Sequence, residues 1–255
     1  MSFFDAFILG IVEGISEFLP ISSTGHLILA SRLLNLSQTE FLKMFEVVIQ
    51  LGAILSVIVL YARKILHNPK LIKKLIVAMI PSLIIGGLFY SFIKKLFESE
   101  EIVVGALFFG GILIILFEIF HKEKKEATED ISQISYKTAF FVGVFQVLSV
   151  IPGVSRSGAT ILGGLFLGLR RKVIVEFSFL LAVPTMLAAS TLDIVRSGGS
   201  VNTTQWGFLI VGFLTAFVVS LLTIKWLLRF VETNTFIPFG IYRIGIALLF
   251  FLFIL

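Results

Sequence analysis

"EGISEFLPISSTGHLIL", residues Glu13 to Leu29, sets two carboxylates, a proline, three consecutive hydroxyls and a histidine inside an otherwise oily stretch. Charged side chains at bilayer depth are costly and mark functional positions. Whether the chain runs straight through this stretch or turns back at Pro20 decides the fold. Proline removes a backbone donor and clashes with the preceding helical turn, and polar residues follow it here. The same interruption recurs at Pro152–Gly153, inside the apolar region Tyr136–Leu169. A helical hairpin that enters the membrane and returns fits both regions better than a single long span. At a rise of about 1.5 Å per residue, Phe3–Phe18 would be roughly 24 Å long, enough to pass the bilayer midplane.

The rest of the chain supports a membrane setting. Its 255 residues are 57% hydrophobic, and the mean hydropathy is +1.04. Such a chain buries apolar surface in lipid as well as in its own core. Six stretches are long enough to cross: Met44–Tyr61, Leu75–Phe92, Ile102–Phe120, Val173–Val195, Gly207–Leu228 and Phe239–Leu255. The expectation is an all-α polytopic membrane protein with six transmembrane helices and two re-entrant hairpins. The absence of cysteine excludes disulfides and thiolate metal sites. The net charge of +5 falls in short clusters between apolar spans, not on one polar face, which argues against nucleic acid as a partner. No cleavable signal peptide is expected, because the N-terminus lacks a basic region and its first apolar run holds Asp5, Glu13 and Glu17.

Lysine and arginine set the orientation. Arg63, Lys64, Lys70, Lys73 and Lys74 place the loop after the first span in the cytoplasm. Lys94–Glu101 is net acidic and external, whereas Lys122, Lys124, Lys125 and Lys137, then Arg170, Arg171 and Lys172, return to the cytoplasm. Ser197–Thr204 is neutral and external. The first hairpin thus enters from outside and the second from inside.

A slide of 133 residues aligns the two hairpins without a gap. Gly10, Ser16, Ser22, Gly25, Ile28 and Leu29 coincide with Gly143, Ser149, Ser155, Gly158, Ile161 and Leu162. "FEVVIQLGA" (Phe45–Ala53) is echoed by "VEFSFLLAV" (Val175–Val183), with Glu46 matching Glu176. Residues 1–255 then form one integral membrane domain. Repeat one covers roughly 1–120 and repeat two roughly 134–255, joined by a charged cytoplasmic loop at 121–133. Inverted-topology repeats of this kind place their site near the midplane.

Each hairpin would present the start of its second half-helix to the membrane interior, at Ser22–Gly25 and Ser155–Gly158. Helix N-termini offer unpaired N–H groups and a partial positive charge that suit phosphate. Ser22, Ser23, Thr24, Ser155, Ser157 and Thr160 add hydroxyl donors, and Arg156 adds a planar fork that matches phosphate oxygens. Glu13 and Glu17, four residues apart, share one helical face directed at the tip. Their mirror positions hold Gln146 and Val150, so one half supplies acids and the other arginine. A site that only binds an anion gains little from carboxylates facing it, and the asymmetry points to catalysis.

"EGISEFLPISSTGHL" and "PGVSRSGAT" resemble the two signature regions of the undecaprenyl-pyrophosphate phosphatase family, the bacitracin-resistance type. The first carries an E-x-x-x-E pattern and the second P-G-x-S-R-S, which includes Gly153. "FEVVIQLGAI" and "EFSFLLAVP" are also similar to family segments, so the resemblance runs along the whole chain. It implies removal of the terminal phosphate from undecaprenyl pyrophosphate, which recycles the lipid carrier of cell-wall synthesis in the bacterial plasma membrane. It also implies functional positions at Glu13, Glu17, Ser23, His26, Ser155 and Arg156. The polyprenyl lipid and the surrounding membrane are the expected partners, and a homo-oligomer is compatible with the sequence.

Within that frame Ser23 is the candidate nucleophile; the alternatives are a helix-capping role for Ser23 and attack by water. His26, three residues on, is assigned to proton transfer and Glu17 to the base that activates serine or water. Glu13 orients the site or holds a cation. The diphosphate and both glutamates bring more negative charge than Arg156 offsets, which suggests Mg2+ or Ca2+ at Glu13 and Glu17. A histidine-nucleophile membrane phosphatase is rejected, because no histidine follows Arg156. A polyprenyl phosphate transporter or flippase is the remaining alternative, since broken helices and inverted repeats are also transporter architecture. His67 and His121 are expected to be solvated, and Pro81 and Pro184 to mark kinks.

Overall fold

The protein is described by a computed structural model that covers residues 1–97, 99–122, 127, 128, 130–197 and 205–253. Much of the 121–133 loop, most of the external Ser197–Thr204 loop and the last two residues of the sixth span lie outside the described residues. Helices make up the fold: α1 (Phe3–Ser16), α2 (Ser23–Leu33), α3 (Glu40–Leu66), α4 (Pro69–Leu88), α5 (Tyr90–Leu96), α6 (Glu100–Phe120), α7 (Tyr136–Gln146), α8 (Arg156–Phe166), α9 (Arg171–Ser197), α10 (Trp206–Phe230) and α11 (Ile237–Phe253). Among the described residues there is no β-strand beyond one isolated bridge, Thr128 to Leu169. α3, α4, α6, α9 and α10 are long and apolar enough to cross a membrane, and α11 is shorter, at 17 residues. This is an all-α polytopic membrane protein.

The expected spans recur with shifted ends. Asn68 caps α4 through its side chain and Pro69 starts it, so the helix begins earlier than its apolar core suggests. Leu75–Phe92 is not one segment: α4 stops at Leu88, and the chain restarts as the short α5. Gly86 and Gly87 lie just before that break and weaken the helix there. Pro81 and Pro184 both lie inside helices. Phenylalanine and leucine cover the lipid-facing stripes, with Phe109, Leu113, Leu116 and Phe120 exposed along α6 and Ile210, Leu214, Val218 and Leu222 along α10. Their spacing of three to four residues is one helical face.

Both proline interruptions are hairpins. α1 and α2 pack on each other, as do α7 and α8. α2 and α8 have the same length, 11 residues, and α3 and α9 the same length, 27. The arms are exchanged between halves: α1 packs on α10 and α7 on α4. The aligned glycines explain why these contacts are close. A Cβ on Gly10 would sit 2.8 Å from the Gly212 carbonyl oxygen, and one on Gly143 would sit 1.9 Å from that of Ala78. Any larger residue would push the hairpin arm off its partner helix.

Most of the basic residues gather at one end of the bundle. There Lys64 pairs with Glu176, Arg171 with Glu118 and Lys172 with Glu232, while Lys74 donates to the Ser132 carbonyl. Glu176 therefore braces the basic end. His67 is exposed there, and His121 is half-buried, its ring stacked on Phe117.

Candidate active site

The two hairpin tips meet in the middle of the bundle. Ser22 and Ser155, the aligned residues that begin the second arms, both have positive φ, 73° and 77°. Residues other than glycine avoid that region, and such strain persists where the surrounding structure holds it. Gly153, at φ 90°, turns the second tip, and a Cβ there would meet the Val103 carbonyl oxygen at 2.5 Å. The tips are bonded to each other, since Ser157 Oγ donates to the Leu19 carbonyl at 2.7 Å.

The two helix starts differ in one respect. In α8, Ser155 Oγ accepts from the Gly158 N–H at 3.1 Å and caps the helix. Ser155 Oγ also lies 3.0 Å from Ser157 Oγ. In α2 the equivalent Ser22 makes no side-chain cap. Ser23, the first helical residue, does not cap either: its hydroxyl donates to Glu17 Oε2 at 2.7 Å. The N–H groups of α2 thus keep the partial positive charge that an anion seeks.

Glu17 joins the halves. Its other oxygen, Oε1, accepts from Arg156 Nη2 at 2.9 Å; Glu17 is buried and Arg156 is partly buried. Arg156 Nη1 donates to the Ser178 carbonyl at 2.8 Å. Ser178 Oγ in turn lies 2.6 Å from Thr160 Oγ1. Arg156 Nε has no partner among the described residues. One polar chain thus runs Ser23, Glu17, Arg156, Ser178, Thr160 across the seam. Thr24 and Ser23 are partly exposed, and Gly25 is pressed against Leu107 of α6.

His26 differs from its expected place. Its Nδ1 lies 2.7 Å from the Ser22 carbonyl oxygen and its Nε2 2.9 Å from Tyr242 Oη, and the two rings are stacked. A carbonyl only accepts, so Nδ1 carries the hydrogen in this arrangement and Nε2 accepts from the tyrosine when the imidazole is neutral. A direct Ser23–His26 relay, which the three-residue spacing allows, is not formed.

Glu13 is fully buried, and neither of its oxygens has a hydrogen-bond partner. Its charged surroundings include Glu17 and Glu46, of like sign, and Arg156, of opposite sign. Among the described residues no group of three or more acids and histidines is arranged to hold a metal. Gln146, which mirrors Glu13, donates to Ser82 Oγ and Thr185 Oγ1.

Sequence reasoning missed Ser178, Tyr242 and Arg243. A signal was present for the last, because an arginine in an apolar span is by default a functional position. The charge count that gave the site a single cation left Arg243 out. Its side chain is buried and reaches both tips, so a second positive charge stands behind them.

Comparison with known proteins adds an independent line. A family model described as "Bacitracin resistance protein BacA" matches residues 6–249. The chain is 53% identical over 252 residues to an undecaprenyl-diphosphatase of a Sulfurihydrogenibium species, covering 99% of each chain. It is 53% identical over 255 residues to the undecaprenyl-diphosphatase of Persephonella marina, and 49% identical over 256 residues to that of Aquifex aeolicus, with all of each chain covered in both cases.

Proposed function

The chain belongs to the bacitracin resistance protein BacA family, and from that premise we infer that it hydrolyses undecaprenyl pyrophosphate to undecaprenyl phosphate and inorganic phosphate. It is an undecaprenyl-diphosphatase, and bacitracin resistance follows from the family. The observation that carries the chemistry is the Ser23–Glu17–Arg156 chain, with contacts of 2.7 and 2.9 Å at the junction of the two hairpins. It puts a hydroxyl, a base for its proton and a phosphate-binding fork within reach of one phosphorus.

In the proposed reaction the terminal phosphate lies at the uncapped start of α2, and Arg156 turns its free Nε and one Nη towards the phosphate oxygens. Glu17 Oε2 takes the Ser23 proton, and Ser23 Oγ attacks the terminal phosphorus in line with the bridging oxygen. The bond from phosphorus to that bridging oxygen breaks, and undecaprenyl phosphate departs. Water then hydrolyses the phosphoserine, which restores the serine and releases phosphate. His26 holds the strained Ser22 backbone through Nδ1. Its Nε2 is the atom that would exchange Tyr242 for a substrate oxygen and move a proton there. Ser155, Ser157, Thr24 and the turn at Gly153 shape the pocket.

A divalent cation fits only in part. Both Glu17 oxygens are engaged, so Glu13 alone offers free carboxylate oxygens, whereas Mg2+ or Ca2+ takes six or more oxygen ligands. Such an ion would arrive with the diphosphate and draw its other ligands from phosphate and water. Bound there it would neutralise charge between Glu13 and the substrate.

We place the opening of the site on the external face of the plasma membrane. The loops rich in lysine and arginine lie at the opposite end of the bundle from the entry of hairpin one, and the positive-inside rule assigns that end to the cytoplasm. The prenyl tail would stay in lipid. Release of inorganic phosphate by the purified protein in detergent tests the activity, because transport needs a closed bilayer and hydrolysis does not.

A further inference from the structure

Arg243 is almost completely buried in α11. A guanidinium has five N–H donors in a rigid fork. In Arg243 every one reaches a separate backbone carbonyl oxygen. Nε donates to Leu107 at 3.3 Å, Nη1 to Pro20 at 3.2 Å and Val154 at 2.9 Å, and Nη2 to Ala106 at 2.9 Å and Gly153 at 2.8 Å. Pro20 belongs to the first tip, Gly153 and Val154 to the second, and Ala106 and Leu107 to α6. No carboxylate is among these partners. A buried charge without a counterion is costly, and here the charge is spread over five peptide dipoles, three from the hairpin turns and two from α6.

The room for this group is provided by a missing side chain. A Cβ on Gly110 of α6 would lie 2.2 Å from Arg243 Nη2 and 2.8 Å from Cζ. α6 and α11 cross closely at Gly111 and Gly240, which brings the guanidinium to the level of the tips.

We propose that Arg243 is the positioning residue of the active site, fixing the separation of the two hairpin tips and so the Glu17–Arg156 contact. This deepens the phosphatase reading and rests on it. Proline and glycine turns leave carbonyls without helical partners, and one rigid fork satisfies three of them from opposite halves at once. Lysine, with three donors on a flexible stem, leaves at least two carbonyls unpaired and lets the tips drift. A misplacement of about 1 Å away from the reacting atoms lowers turnover by roughly 100-fold.

The test exploits two tip residues outside the catalytic set. A Cβ on Gly158 would lie 3.6 Å from that of Pro20, a separation suited to a disulfide. Because the chain has no cysteine, a Pro20→Cys/Gly158→Cys pair reports tip spacing alone. With Arg243 present, mild oxidation should cross-link the pair nearly completely, as read by proteolysis between the halves and a non-reducing gel. Arg243→Lys should reduce the cross-linked fraction several-fold in protein that still elutes as a folded species. Without the cysteines, Arg243→Lys should lower kcat about 100-fold. Gly110→Ala, which displaces the guanidinium without touching its charge, should reproduce both effects. Undiminished cross-linking in Arg243→Lys, or loss of cross-linking with unchanged turnover, overturns the proposal. If the unmodified protein releases no phosphate, the phosphatase reading fails instead, and the cross-linking comparison still judges the clamp.

Discussion

Glu17 and Arg156, 139 residues apart in the chain, are joined by a 2.9 Å hydrogen bond between a buried carboxylate and a partly buried guanidinium. One comes from the acidic hairpin and the other from the hairpin that carries no acid at the mirror position. An ion pair this enclosed contributes little net stability, because desolvation opposes the Coulomb attraction. Its consequence is geometric: it ties the carboxylate that holds the Ser23 hydroxyl to the guanidinium of the other hairpin.

Arg156→Lys should leave the fold intact and lower kcat/KM by about 100- to 1000-fold, the scale of losing a transition-state donor. Lysine keeps the charge but cannot reach Glu17 and the Ser178 carbonyl in one plane. Steady-state phosphate release measures it, and near-normal turnover would remove Arg156 from the site.

Ser23→Ala discriminates between nucleophiles. If serine attacks, turnover should fall by roughly four orders of magnitude or more, and acid quenching of the unmodified enzyme should trap a phosphorylated serine. Retention of a substantial rate would assign the attack to water and leave Ser23 as a partner of Glu17.

Tyr242→Phe keeps the ring stacked on His26 and removes only the hydroxyl that reaches Nε2. In the proposed reaction Nε2 exchanges this hydroxyl for a substrate oxygen, so kcat should change little and KM should not rise. A large fall in kcat would show that the tyrosine hydroxyl itself takes part in the proton transfer.

Glu13→Gln removes a buried carboxylate that has no hydrogen-bond partner. The variant should unfold a few degrees higher, consistent with about 1 kcal/mol, while turnover falls. If Glu13 holds a cation brought by the substrate, chelation should stop the unmodified enzyme, and the variant should need more Mg2+ or Ca2+ for half-activity. Insensitivity to chelator would remove the ion from the reaction.

Sidedness is open to thiol labelling in intact cells, with no native cysteine to remove. A membrane-impermeant reagent should modify Ser37→Cys, in the exposed turn between α2 and α3, and should not modify Lys70→Cys at the basic end. Thr24→Cys should react and be protected by substrate. The reverse pattern would put the chemistry on the cytoplasmic face.

The sequence by itself determined the membrane class, the two chain breaks at Pro20 and Pro152–Gly153, and the aligned positions around them. Proline, glycine and charge act locally or through the solvent, so a break at Pro20 or a basic loop at Arg63–Lys74 can be read without knowing the neighbours. The aligned positions were legible for the same reason: Gly10 and Gly143 each admit a close helix contact, and Ser22 and Ser155 each turn at positive φ, although only Ser155 caps its helix. Only the tertiary structure decided which atoms meet. Glu17 binds Arg156, His26 turns to Tyr242 and not to Ser23, and α4 ends where α5 begins. Above all, five carbonyls from two turns and one helix converge on Arg243. Backbone carbonyls are present at every residue and leave no mark in a sequence, so a clamp made of them appears only once the chain has folded around it.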